Sequence, residues 1–125
     1  EVLIGLMPGG GATQRLTAAV GKFRAMKLLL AGSPFDAAQA LAMGLVSDVV
    51  SDDQVEATAL ELASQLARGP QQAIRHIKEA VLEGMNLPLQ QGLQMERKLF
   101  QLLFDTHDKS DGIRARLDKR PARFE

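Results

Sequence analysis

A glutamate, Glu1, stands eight residues before a glycine triplet in the stretch Glu1-Val-Leu-Ile-Gly-Leu-Met-Pro-Gly9-Gly10-Gly11-Ala-Thr-Gln-Arg-Leu16. Glycine has no Cβ, so a ligand can come close to the bare N–H groups of such a loop. The pattern places the triplet at the opening of a helix, where the first N–H groups lack intrahelical partners and carry partial positive charge. A carboxylate beside such a loop can hold water or move a proton. On chemistry alone two readings of the triplet stay open: a flexible turn before a helix, or an anion or water site. A dinucleotide fingerprint fails, because Gln14 stands where its third glycine belongs. A phosphate-binding P-loop fails as well, since Gly21-Lys22-Phe23 lacks the closing Ser or Thr.

Glu1 carries a physical condition. A free α-amino group would put positive charge beside its carboxylate and favour ionisation. A glutamate that donates protons near neutral pH needs the opposite shift. Glu1 in working form is therefore expected to follow a peptide bond, and the chain to be part of a longer polypeptide.

Other candidates carry less. His76 and His107 have no partners at metal-ligand spacing and read as surface or cap histidines. Ser33, Ser47 and Ser51 lie in no nucleophile-elbow pattern. Glu96 falls on an apolar helical seam and reads as structural, bonded to an arginine. Near the end stand Arg114, Arg116, Lys119, Arg120 and Arg123. Two readings of that run stay open: a solvated helix face whose cations suit the C-terminal dipole, or a site for phosphates on a ligand.

The elements that must position these residues are mostly helical. Residues 12–20, 22–31 and 37–43 are expected as short helices, with Gly21, Gly32 and Gly44 as stops and Asp36 as a cap. Residues 2–4 read as the tail of a strand, and residues 45–50, Leu-Val-Ser-Asp-Val-Val, as a second strand. Asp52 or Asp53 is expected to cap the next helix, which Gly69-Pro70 ends. Apolar periodicity then predicts helices over 71–85 and 88–104, and a last one after Thr106. Two strands are too few for a free-standing sheet, so the remaining strands are expected upstream of Glu1.

Composition bounds the classes. Of 125 residues, 46% are apolar and 24% charged, an ordinary globular balance. Fifteen basic and fifteen acidic residues cancel, so charge alone implies neither nucleic acid nor membrane as a partner. Cysteine is absent, which excludes disulfides, thiolate catalysis and cysteine-ligated zinc. Trp and Tyr are absent too, removing the usual stacking platforms for single-stranded nucleic acid. The apolar runs are far short of a membrane span. The expected location is cytoplasmic, or the mitochondrial matrix after removal of a presequence.

Taken together, the pieces resemble the crotonase family, the enoyl-CoA hydratases and isomerases. The resemblance runs from Glu1, Gly5, Pro8, Gly9, Gly11, Thr13, Gln14, Arg15 and Leu16 through Val20-Gly21-Lys22 to Met43-Gly44-Leu45-Val46. It continues in Lys78-Glu79-Ala80-Val81, Glu96-Arg97-Lys98-Leu99-Phe100, Asp111-Gly112-Ile113 and Asp118-Lys119-Arg120. It covers the whole chain and corresponds to about the C-terminal half of a family member.

The resemblance implies an α/β crotonase-like spiral fold, of which this chain would be mostly helix with one or two short strands. Residues 1–50 would be the end of the spiral core, and residues 51–125 a C-terminal helical trimerisation region. The implied reaction is reversible syn hydration of a trans-2-enoyl-CoA to the 3-hydroxyacyl-CoA, as in fatty-acid β-oxidation. Glu1 would match the second of two catalytic glutamates, and Gly9 the loop glycine whose N–H helps to hold the water. Lys119 would match a lysine that contacts the phosphate-bearing end of CoA. Arg116 stands where many members carry Phe near the adenine. Ala12 replaces the second glycine of the usual pair. The first glutamate and both oxyanion-hole donors would lie upstream, so the isolated chain is expected to be inactive. No metal or redox cofactor is implied, the CoA thioester being the substrate. Trimers or dimers of trimers are expected, the apolar stripes of 71–85 and 88–104 needing cover. Two alternatives stand beside this reading. One is an enoyl-CoA isomerase of the same family, and the other a non-catalytic helical assembly fragment.

Overall fold

The computed structural model describes residues 1–125. Seven α-helices account for most of the chain: α1 Ala12–Val20, α2 Lys22–Ala31, α3 Ala37–Met43, α4 Val55–Ala67, α5 Gln71–Gly84, α6 Leu89–Leu102 and α7 His107–Leu117. They fall into two compact units, Glu1–Val55 and Glu56–Glu125. No helix is long and apolar enough to cross a membrane.

In the first unit, α1 and α2 pack against each other around Val20 and Ala25. The expected strand at residues 2–4 is instead a single 3-10 turn, Val2–Ile4. It is closed by Ile4 and Leu6 N–H donating to the Glu1 carbonyl at 3.0 and 3.1 Å. The turn sits against the end of α2. There Gly32 has φ 62, and a Cβ built on it would lie 2.7 Å from Val2 Cγ1. Helix α3 opens with a reciprocal cap. Asp36 accepts from Gln39 N–H at 2.8 Å, while the Gln39 side chain accepts from Asp36 N–H at 2.9 Å. Such a box satisfies two otherwise unpaired donors.

The second expected strand, residues 45–50, is also absent; that segment is irregular and largely exposed. A β-branched run becomes a strand only where a neighbouring backbone offers a ladder, and no segment of this chain pairs with it. Asp52 and Asp53 do not cap α4. They lie inside a 3-10 turn, Asp52–Gln54, that follows Ser51 and leads into the helix. There they remain favourable as negative charge at the helix's positive end.

In the second unit, α5 and α6 form an antiparallel-type helix pair joined by a short loop and packed along their lengths. They come close at two glycines: a Cβ on Gly92 would stand 3.8 Å from the Gly84 carbonyl oxygen. Gln71, the first residue of α5, donates from its side-chain amide to the carbonyls of Leu66, Ala67 and Gly69 at 2.9, 3.0 and 2.8 Å. It thereby caps the end of α4. Thr106 caps α7, accepting from Lys109 N–H at 3.2 Å.

The core is small. Only Val20, Ala25, Ala40, Leu99 and Ala115 are buried, and no large side chain is fully enclosed. The chain exposes 10271 Å². Two separate folded units of half its mass each would together expose about 7,900 Å². The excess is apolar in good part. Helix α4 buries no residue at all, and Ile77, Val81, Leu93 and Phe100 face solvent on the α5–α6 pair. Apolar faces of this extent exceed what a free-standing monomer usually leaves open.

Candidate active site

The first candidate corner is the loop before α1. Gly11 occupies the position flanking the helix at φ 94, a left-handed conformation that a side chain would strain. Its carbonyl accepts from Gln14 and Arg15 N–H at 3.1 and 2.8 Å, which starts the helix. Gly9 and Gly10 are exposed, and a Cβ on either would meet nothing within 4 Å. The N–H of Gly9 donates to no group of the chain. The loop therefore offers an open, unpaired donor beside the positive end of a helix, the arrangement that receives an anion or a polarised oxygen.

Arg15 completes this corner. Its guanidinium folds back and donates to the Gly10 carbonyl, and a Cβ on Gly11 would lie 2.9 Å from Arg15 Cζ. Sequence reasoning passed over this role, although Arg15 lies one helical turn after Gly11, the spacing at which a side chain meets the preceding turn.

Glu1 belongs to the same unit. Its carboxylate is exposed and takes part in no hydrogen bond or ion pair. No bond joins it to Gly9, and no Glu1 atom lies within 4 Å of where a Gly9 Cβ would begin. Both groups are thus unengaged, each available to a third partner.

The second candidate corner is the end of α7. Arg116 lies in its last turn and Lys119 just beyond it; both are exposed and neither makes an ion pair. The neighbouring Arg120 is engaged. Its Nη2 lies 2.6 Å from Asp111 Oδ1, and its Nε 3.7 Å from Asp118. The Arg120 guanidinium first, and then the Arg123 N–H at 2.7 Å, hold the Asp111 carboxyl at about 2, below its ordinary 3.8. The same bond raises the Arg120 pKa. The basic run is thus not uniform: Asp111 spans nine residues to neutralise Arg120 and leaves Arg116 and Lys119 as free cations.

The histidines are local. His76 Nδ1 stands 3.6 Å from Glu79, and His107 Nδ1 3.8 Å from Glu125. Glu96 is exposed and makes no ion pair, so its expected arginine partner is absent. Exposure removes the need for one, since water solvates the charge. An apolar hollow of about 440 Å³ among Phe100, Leu103, Phe104, Ile113 and Phe124 contains none of the candidate residues.

A family model described as enoyl-CoA hydratase/isomerase matches residues 1–125. A probable enoyl-CoA hydratase of Rhizobium meliloti is 46% identical over 124 residues, 99% of this chain and 48% of that protein. The 2,3-dehydroadipyl-CoA hydratase of Escherichia coli is 45% identical, again over 99% of this chain and 49% of its own length. A solved enoyl-CoA hydratase structure from Geobacillus kaustophilus superposes with a TM-score of 0.93 at 44% identity, covering 100% of this chain and 49% of its own. The chain thus spans about half the length of the relatives it matches. That share is a length and not a position, so the expected C-terminal placement is not supported by it. The fold class is the crotonase-like one of these neighbours, without the short strands expected here. With the motif, the family match and the superposition in agreement over its full length, the chain belongs to the enoyl-CoA hydratase/isomerase family.

Proposed function

We propose that the protein is an enoyl-CoA hydratase, adding water reversibly and syn across a trans-2-enoyl-CoA. The hydroxyl goes to the β-carbon and the proton to the α-carbon, giving the 3-hydroxyacyl-CoA. Glu1 exchanges the α-carbon proton, and the Gly9 N–H holds the water. The observation that carries this reading is the unengaged pair in one unit: an exposed carboxylate without a partner, and a loop N–H that no group of the chain accepts. Relatives named as hydratases at 40% to 46% identity support the reaction class. Lys119 and Arg116, cationic and free of acidic partners, receive the phosphates and the adenine end of CoA. The thioester is substrate, and the chemistry calls for no metal or redox group. A homo-oligomer, trimer or dimer of trimers, would cover the apolar faces left open on α4, α5 and α6.

The test is Glu1→Gln in the full-length protein, followed by loss of the conjugated enoyl absorbance and by product analysis. General acid–base catalysis by a positioned carboxylate contributes about 10²- to 10⁴-fold, so kcat should fall by that factor with the thioester still bound. An unchanged kcat would remove Glu1 from the reaction. A wild-type product with a shifted double bond and no added water would make the protein an isomerase.

A further inference from the structure

Helix α7 ends in a turn that is usually built around glycine. Lys119 N–H donates to the Arg116 carbonyl at 3.4 Å and Arg120 N–H to the Ala115 carbonyl at 3.0 Å. These are the paired bonds of a Schellman stop, whose left-handed residue is most often glycine because a Cβ is disfavoured there. Here it is Lys119 at φ 54, the single non-glycine residue of the chain with positive φ. A side chain kept against the preference of its own backbone points to a use for that side chain.

The segment after the helix is lashed back onto α7. Asp111 accepts from Arg120 Nη2 and Nη1, at 2.6 and 3.4 Å, and from Arg123 N–H at 2.7 Å. Asp108, one turn earlier on the same face, accepts from Glu125 N–H at 2.9 Å. The Phe124 ring lies 3.5 Å from where a Cβ on Gly112 would begin. Lys119 therefore sits between two fixed points, the last helical turn before it and the clasped Arg120 after it. Asp111, Arg120, Pro121 and Arg123 line an open cleft of about 480 Å³. The Arg123 guanidinium makes no ion pair there.

We propose that Asp111 is a positioning residue for substrate recognition: by clasping Arg120 and the Arg123 amide, it fixes the left-handed turn that presents the Lys119 ammonium to the phosphates of a CoA thioester. The inference rests on the reading of Lys119 given under the proposed function. Asp111 touches no substrate itself. Its carboxylate trades the freedom of the tail for a defined cation position, so less ordering remains to be done when the ligand binds.

The experiment uses the full-length protein and two substrates, an enoyl-CoA and the same enoyl group on pantetheine, which lacks the nucleotide phosphates. Asp111→Asn should raise KM for the CoA thioester at least about threefold with kcat unchanged, the signature of lost uniform binding. It should leave both constants for the pantetheine thioester as they were, and Asp111→Glu should restore most of the loss. Arg120→Gln breaks the same clasp from the other side and repeats the measurement if Asp111→Asn does not fold. Equal changes on both substrates, or none on either, would overturn the inference. Lys119→Ala tests the underlying reading separately. If it leaves KM for the CoA thioester unchanged, Lys119 is not the phosphate contact. If it raises that KM while the Asp111 and Arg120 variants do not, only the positioning role falls.

Discussion

At the start of α1 the left-handed position is taken by Gly11, at φ 94; at the end of α7 it is taken by Lys119, at φ 54. The first corner leaves its polar groups open: the Gly9 N–H has no acceptor and the Glu1 carboxylate no partner. The second closes on itself through Asp111, Arg120 and the Arg123 amide, and leaves charge open instead. A loop that must admit a reacting oxygen needs bare backbone, so glycine stands at its hinge. The phosphate contact proposed for the second corner needs a cation, which would account for a side chain standing where glycine would be easier, with an ion pair beside it. On the proposed function, one helix end serves chemistry and the other grip.

The largest expected effect lies at the open corner, where Glu1→Gln lowers kcat by about 10²- to 10⁴-fold; a loss confined to KM would make that corner a binding site as well. The selective rise in KM for the CoA thioester on Asp111→Asn is next, and separates grip from chemistry. Gly11→Ala then tests the shared backbone conformation. A Cβ at φ 94 should cost about 1–2 kcal/mol of stability, read as a lower denaturant midpoint at fixed protein concentration, and the Arg15 guanidinium must also move aside. Lys119→Gly should run the other way, raising stability by up to about 1 kcal/mol while weakening binding of the CoA thioester. A fall in both would show that Lys119 is needed for the fold. The smallest effect is in acid. The folded Asp111 pKa of about 2 lies below the ordinary 3.8, so its clasp stabilises fully above the ordinary value. That stability is lost as pH falls from about 4 to about 2. In Asp111→Asn this part of the acid profile should be flat.

Much of the helical scaffold was legible in the residues. Gly21, Gly32 and Gly44 stop helices, and Asp36 and Thr106 cap them, because caps and stops act within one turn. The strands were misread for a complementary reason. Residues 45–50 have strand composition, but a strand is a relation between two backbones, and composition reports only one. Val2–Ile4 turned instead because Glu1 offered its carbonyl to Ile4 and Leu6 within reach. The glycine loop and Glu1 could be singled out from their spacing. The Asp111–Arg120 clasp could not, since nine residues fit no helical repeat and the contact exists only because the tail reverses at Lys119. Arg15 over Gly10 sits at a readable spacing, yet its direction, back toward the loop, is a rotamer and not a pattern.

The amide nitrogen of Gln71 carries two hydrogens and faces three carbonyl oxygens, so at least one hydrogen is shared. A neutral latch of this kind governs the heading of α4, a helix with no buried side chain to steer it. Salt and acid, which loosen the carboxylate clasp of the tail, act on formal charge and have nothing to grasp here. The two fastenings should therefore slacken under different solvents: the tail where ions compete, and α4 only where urea or water competes for carbonyls.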